Sequence, residues 1–168
     1  MEDDLKQIYS KGLERIDGGP QKNVWKGIDR QRGLEVAWHE IKLTDEATAA
    51  IWKKEVALLN HLKHDNLIEF YGFWTEQTKI IYITELVTSG PLSSFVRLAG
   101  GVTLSVIKGW CRQILCGLKY LHEQKPRIIH RNIKLDNIFY HGDKGKIKIG
   151  DLGLATSLDS PKSFRGTP

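Results

Sequence analysis

The residues best equipped for chemistry lie in two short stretches. Residues 130–137 read His-Arg-Asn-Ile-Lys-Leu-Asp-Asn, and residues 151–153 read Asp-Leu-Gly. Asn137 and Asp151 carry hard oxygen donors of the kind that hold Mg²⁺. Lys134 adds a positive charge that could face an anion. Asn132 precedes it by two residues, and its amide oxygen can accept a hydrogen bond from a hydroxyl. The same amide carries no charge and takes no proton. The set thus offers oxygen ligands for a hard cation and a nearby positive charge, but at position 132 no group that could act as a general base.

Such scattered side chains must be positioned by regular elements. Residues 23–43 alternate, with Val24, Trp25, Val36 and Trp38 divided by a turn around Asp29 to Gly33, and predict two paired strands. Residues 45–62 predict a helix with Ile51, Glu55, Leu59 and Leu62 on one face. Glu55 would then sit on an apolar stripe, where an inward carboxylate needs a cation. Residues 66–86 suggest two more strands, ending in Ile80-Ile81-Tyr82-Ile83, and Gly90-Pro91 breaks the pattern before a short helix. Over 103–122, Leu104, Ile107, Trp110, Ile114, Leu118 and Leu121 recur at helical spacing behind a capping Thr103. Lys146-Ile147-Lys148-Ile149 alternates as a strand that delivers Asp151. Strands with one helix, followed mostly by helix, imply an α+β unit joined near residues 85–91 to a helical one.

Bulk properties narrow the class. The 168 residues suffice for one sizeable core or two small lobes, with ordinary globular proportions of 40% hydrophobic and 27% charged residues. The formal charge of +5 is spread along the chain without an aromatic-interleaved basic stripe, so a nucleic-acid partner is not expected. No apolar run approaches the ~20 residues of a membrane span. Glu2, Asp3 and Asp4 do not suit a signal peptide. Cys111 and Cys116 lie five apart on one predicted helix, which argues against a disulfide or metal site and for a reducing, cytoplasmic setting.

The two chemical stretches, read with their neighbours, resemble a protein kinase. Residues 130–137 look like a catalytic loop with Asn132 in place of the base aspartate, and Lys148-Ile149-Gly150-Asp151-Leu152-Gly153-Leu154-Ala155-Thr156 looks like the metal-binding segment. Ile83-Thr84-Glu85-Leu86-Val87-Thr88-Ser89-Gly90 looks like a hinge, Trp110 to Leu115 with Tyr120-Leu121-His122 like the helix before the catalytic loop, and Gly166-Thr167-Pro168 like the end of an activation loop. Within the kinases the chain is most similar to the WNK ("with no lysine") serine/threonine kinases. Val36-Ala37-Trp38-His39 puts His39 at the usual lysine position, and Asp17-Gly18-Gly19-Pro20-Gln21-Lys22 puts Lys22 at the relocated lysine of that family. Lys42 is a rival, but it stands an odd number of residues from His39 and leaves a strand by the opposite face.

The resemblance implies a two-lobed kinase fold: an N-terminal extension over 1–12, an N-lobe over 13–86 and a partial C-lobe over 87–168. It implies ATP and Mg²⁺ as cofactors, with Gly19, Lys22, Val24, Ala37, Glu55, Thr84, Glu85 and Val87 toward the nucleotide and Asn137 and Asp151 on the metal. Asn132 and Lys134 would face the transferred phosphate. Arg131 would pair with a phosphorylated Ser163, and Leu152 and Leu154 match residues that line an inhibitory chloride pocket in the family. The implied activity is phosphorylation of protein serine or threonine. It is expected to be weak, because Asn132 removes a base typically worth ~10²–10⁴-fold. Asp17 puts a negative charge near the phosphates and Pro20 lacks an N–H, so nucleotide affinity is expected below that of an intact kinase. The sequence ends at Pro168 before an Ala-Pro-Glu motif, which predicts a truncated lower lobe and an exposed apolar stripe on the 103–122 helix. Two other readings fit the same residues: a nucleotide-binding pseudokinase that docks to and regulates another kinase, and a non-functional fragment.

Overall fold

The computed structural model describes residues 2–142, 145–152, 156 and 157. The chain divides into two compact units, Met1–Leu62 with Glu69–Leu86, and Lys63–Ile68 with Val87–Pro168. The architecture is α+β, as the sequence predicts.

The first unit is built on a five-stranded antiparallel sheet. Helix α1 (Glu2–Ile8) leads into β1 (Tyr9–Gly18), β2 (Lys22–Asp29) and β3 (Leu34–Lys42); α2 (Glu46–Leu59), β4 (Phe70–Glu76) and β5 (Lys79–Glu85) follow. Their order in the sheet is β1-β2-β3-β5-β4. The predicted turn between β2 and β3 forms for a clear reason. The buried Asp29 carboxylate accepts the N–H groups of Gln31 (2.9 Å) and Arg32 (3.0 Å), and Arg32 Nε reaches its other oxygen at 2.8 Å. Gly33, at φ +66°, supplies the left-handed residue that closes the turn.

The two faces of the sheet bury different clusters. Tyr9, Val36, Trp38, Trp74, Ile81 and Ile83 pack on one face, joined by Leu5 and Ile8 of α1. The residues expected to be an extension, 1–12, thus form a helix on this face and the start of β1. On the other face Ile41, Ile80 and Tyr82 meet Val56 of α2, with Trp52 beside them. This corrects the predicted face of α2: Ile51 is 60% exposed, and Leu62 is buried in the turn beyond the helix end. Trp52, Val56 and Leu59, spaced four and three apart, form the true inward stripe. Strand β1 was not predicted at all, because after Tyr9 it is mostly exposed and its pairing with β2 is twice shifted.

The second unit holds α3 (Leu92–Leu98), α4 (Leu104–His122), β6 (Ile128–Ile129), a 3-10 turn (Leu135–Asn137), β7 (Ile138–His141), β8 (Lys146–Ile149) and β9 (Thr156–Ser157). Its core gathers Leu92, Trp110, Ile138 and Ile147, with Phe95 and Tyr140 packed around Trp110. Helix α4 follows the predicted spacing from Trp110 onward. Trp110 and Leu121 are buried, whereas Leu104 is 65% exposed and Ile107 also faces out. Thr103 occupies the N-cap position without a side-chain capping bond.

Strand β8, which leads to Asp151, is gripped on both edges. One edge pairs with β7, Ile138 opposite Ile149. On the other, Ile149 N–H donates to the Asn66 carbonyl and Ile68 N–H donates to the Ile149 carbonyl, both at 2.9 Å. The Asn66 side chain adds bonds from Nδ2 to Gln113 Oε1 (3.1 Å) and to the Ile147 carbonyl (2.9 Å). Gln113 Oε1 in turn accepts Ile147 N–H at 2.8 Å. Replacing Asn66 by alanine strips a donor from partly buried acceptors and should cost the second unit about 1–3 kcal/mol. Chemical denaturation of the full chain should show that loss; an unchanged unfolding midpoint would mean the network is solvent-compensated.

Candidate functional site

In the second unit the predicted residues converge on one buried imidazole. His130 is essentially inaccessible. The Asn132 N–H donates to His130 Nδ1 at 3.2 Å, so that nitrogen is the acceptor. His130 Nε2 therefore carries the proton and donates to the Gly150 carbonyl at 2.8 Å. Burial pushes the His130 pKa below its ordinary value, partly opposed by the Gly150 bond and by Asp151, in keeping with a neutral ring. The imidazole thus ties the 130–137 loop to the segment carrying Asp151.

Three further bonds complete the arrangement. Gly150 N–H donates to the Asn137 carbonyl at 2.8 Å. Asn137 Nδ2 donates to the Asn132 carbonyl at 2.8 Å, which turns its Oδ1 away as the oxygen free of that bond. Asn132 Nδ2 donates to Asp151 Oδ2 at 3.1 Å. Because a carboxylate only accepts, this contact fixes the orientation of the Asn132 amide. Arg131 and Asp151 both adopt left-handed backbone, at φ +63° and +52°. Asn132 and Asn137 are buried, Leu152 is nearly so, and Lys134 is exposed. Asp136, beside Asn137, accepts Ser93 Oγ–H at 2.7 Å and so turns toward α3. Leu154 and Ser163 lie outside the described residues.

Asn137 and Asp151 fit a magnesium ion better than a closed metal cage. Among the described residues no group of three or more His, Cys, Asp and Glu side chains could enclose a metal. Mg²⁺ typically takes one or two protein oxygens and leaves its other positions to water and phosphate. Two hard-oxygen side chains joined through Asn132 meet that demand.

The first unit holds the other predicted group on one sheet face. Val24 lies opposite His39, and His39 opposite Tyr82; Ala37 lies opposite Thr84. Lys22, two residues before Val24, shares their face, and its Nζ stands 5.7 Å from the Tyr82 ring centre. Lys42 falls on the opposite face, by the register of β3. The His39 ring stacks on Tyr82 at 4.2 Å, and its Nε2 lies 2.9 Å from Thr84 Oγ1. Thr84 Oγ1 donates to the Glu85 carbonyl, so His39 Nε2–H must be the donor to it. His39 Nδ1 is enclosed without a hydrogen-bond partner. Burial first, and the nearby Lys22 charge second, hold the His39 pKa well below its ordinary value. Thr84 and Glu85 end β5, and the Glu85 carboxylate accepts Glu69 N–H at 3.2 Å. Val87 is buried in the second unit. The backbone of Glu55 lies in α2; its side chain is outside what is described.

The turn between β1 and β2 is internally bonded. Gly18 N–H donates to the Asp17 carboxylate at 2.7 Å, and Gly19 N–H donates to the Lys22 carbonyl at 2.7 Å. Pro20 has no N–H to give. A side chain at position 18 would collide with the Arg15 guanidinium, whereas position 19 is open. The residues that sequence reasoning missed are His130 and Tyr82. His130 heads the catalytic stretch, and Tyr82 faces His39 once the strands are registered.

Comparison with known proteins agrees with this geometry. Residues 12–168 match the protein kinase domain family. The "Probable serine/threonine-protein kinase WNK9" of Oryza sativa subsp. japonica is 43% identical over 162 residues, covering 92% of this chain and 39% of that protein. The "Serine/threonine-protein kinase WNK" of Caenorhabditis elegans is 39% identical over 170 residues, covering 95% of this chain and 9% of that protein. The "Probable serine/threonine-protein kinase WNK4" of Arabidopsis thaliana is 41% identical over 177 residues, spanning all of this chain and 31% of that protein. The chain therefore spans well under half the length of these relatives. Among solved structures, Rad53 residues 1–466 in complex with AMP-PNP superposes with a TM-score of 0.79 and 29% identity, over 89% of this chain and 39% of that one.

Both imidazoles set a pH dependence. His130 and His39 have folded pKa values below the unfolded value of about 6.5. Between those values the unfolded chain binds more protons, so their contribution to stability is complete above about pH 6.5 and declines as pH falls. Thermal melts from about pH 7.5 to about pH 5 should show falling stability, with both rings titrating below 6.5 by NMR. A ring titrating above that value would contradict its burial as a neutral group.

Proposed function

The chain belongs to the protein kinase domain family and is WNK-like within it, and on that premise we propose that it binds ATP with Mg²⁺ and transfers the γ-phosphate only weakly. The observation that carries this reading is the buried loop in which His130, Asn132, Asn137 and Asp151 are joined by hydrogen bonds. Asn137 and Asp151 would hold Mg²⁺, which neutralises phosphate charge when bound. Lys134, exposed beside them in sequence, would face the transferred group. Asn132 presents its Nδ2 to Asp151; its Oδ1 would orient a substrate hydroxyl by accepting a hydrogen bond but could not remove its proton.

In the first unit, Lys22 is the cation proposed for the nucleotide phosphates and for Glu55. Its sheet face also carries Val24, Ala37 and Thr84, apolar and small groups suited to an adenine ring. His39 cannot replace the usual lysine charge, because its ring is held neutral. The substrate would be serine or threonine on a protein. Two exposed free cysteines on α4 suit a reducing, cytoplasmic setting, and among the described residues no helix is long and apolar enough to cross a membrane.

A second reading is favoured by one observation. The Asn132–Asp151 bond pairs a metal ligand with a neutral amide, as suits a pseudokinase that binds nucleotide and regulates another kinase. The two readings separate in a phosphotransfer assay with labelled ATP. Asn132→Asp should raise transfer about 10²–10⁴-fold if the base is the lesion. Equal, absent transfer by both forms would favour the regulatory reading. Lys22→Ala should weaken ATP binding roughly tenfold or more, the loss of a charge-assisted contact. Undiminished affinity would move the phosphate cation elsewhere.

A further inference from the structure

We propose that Asn132 is an internal competitor of the cation: its amide bonds Asp151, so this chain depends on a divalent metal for nucleotide binding less than its Asn132→Asp form would. The inference rests on the reading that Asn137 and Asp151 are the metal's ligands.

The geometry is specific. Asn132 is buried, and its Nδ2 lies 3.1 Å from Asp151 Oδ2. The donor is held from both ends of its own residue. Its N–H is fixed on His130 Nδ1, and its carbonyl accepts Asn137 Nδ2. These bonds fix the backbone from which the amide projects toward Asp151. Asp151 is constrained equally, because it sits in left-handed backbone directly after Gly150, whose N–H and carbonyl are both bonded within the loop.

An aspartate at position 132 would have the opposite effect. A carboxylate oxygen in place of Nδ2 would put two negative groups about 3 Å apart, and like charges at that distance demand a cation or a proton between them. In this chain the same space holds an N–H dipole pointing its positive end at Asp151. That dipole steadies the carboxylate and repels a metal approaching from the same side. Cation affinity rises with the number of anionic ligands, so Asn132 both removes a nearby charge and competes for the one that remains.

The test is a Mn²⁺ titration of the full chain without nucleotide, read from the free-ion electron paramagnetic resonance signal. Asn132→Asp should bind Mn²⁺ about tenfold or more tightly than the parent. Asn132→Ala, which removes the donor without adding charge, should fall between them; it keeps the inference testable if the aspartate form does not fold. Parent affinity equal to that of either folded variant overturns the inference. A parallel titration with a fluorescent ATP analogue, in Mg²⁺ and in EDTA, should show the parent less dependent on the metal than Asn132→Asp. Equal metal dependence in both forms also overturns it. Failure of every form to bind the analogue sinks the nucleotide reading instead, and the Mn²⁺ titration then decides the inference alone.

Discussion

The second unit is organised around a histidine that must stay neutral. His130 accepts through Nδ1 and donates through Nε2, and only the neutral ring can do both. Protonation would set a new N–H against the Asn132 N–H at a buried ring. Burial opposes that proton, and the loop is built on the opposition. Two left-handed residues, Arg131 and Asp151, flank the ring's contacts. Such backbone costs roughly 1–2 kcal/mol for a side-chain-bearing residue, somewhat less for aspartate. The bonds from Gly150, Asn132 and Asn137 are what offset it. Loss of the imidazole's bridging geometry would release the strain and the placement of Asp151 together.

The first unit obeys a different constraint, the registration of its strands. Pairing of His39 with Val24 and with Tyr82 decides which side chains can meet. It brings Lys22 to the His39 face and sends Lys42 to the other. It also places a neutral, stacked imidazole where kinases with the usual lysine carry a charge. The Lys22 charge and the enclosure of the ring both disfavour a second cation there, so the positive charge on this face resides on Lys22 and not on His39.

Much of this was legible because local chemistry and tertiary demand agree. The β2–β3 hairpin follows from an Asp-to-Gly turn, and β8 from strict alternation. The kinase-like order of the two chemical stretches follows from residues in fixed spacing. Legibility failed where packing was decided at long range. Helix α2 was found, but its inward stripe was misjudged, since Ile51 and Trp52 are both apolar and only the sheet decides between them. Strand β1 was hidden by its exposed side chains. At the site, the reading of Asn132 as a residue that takes no proton rests on its amide alone. That it would instead donate to Asp151 depends on backbone twists at Arg131 and Asp151 that no spacing announces.

The same pattern recurs in both units considered separately: groups that would serve a ligand are already paired within the chain. Gly18 N–H is taken by Asp17, Gly19 N–H by the Lys22 carbonyl, and Asp151 by Asn132. Each such bond contributes about 0.5–1.5 kcal/mol net, more when a charge is involved. In either unit, a ligand that displaces such bonds gives up their summed contribution, roughly tenfold in affinity per 1.4 kcal/mol. The exposed turn bonds weigh least in that sum, because water can take their place. The Asn132–Asp151 bond, partly buried and made to a charge, weighs most. Under the proposed function, asparagine at position 132 therefore acts on binding as well as on chemistry: it supplies no base and, through the same side chain, competes with the metal for Asp151.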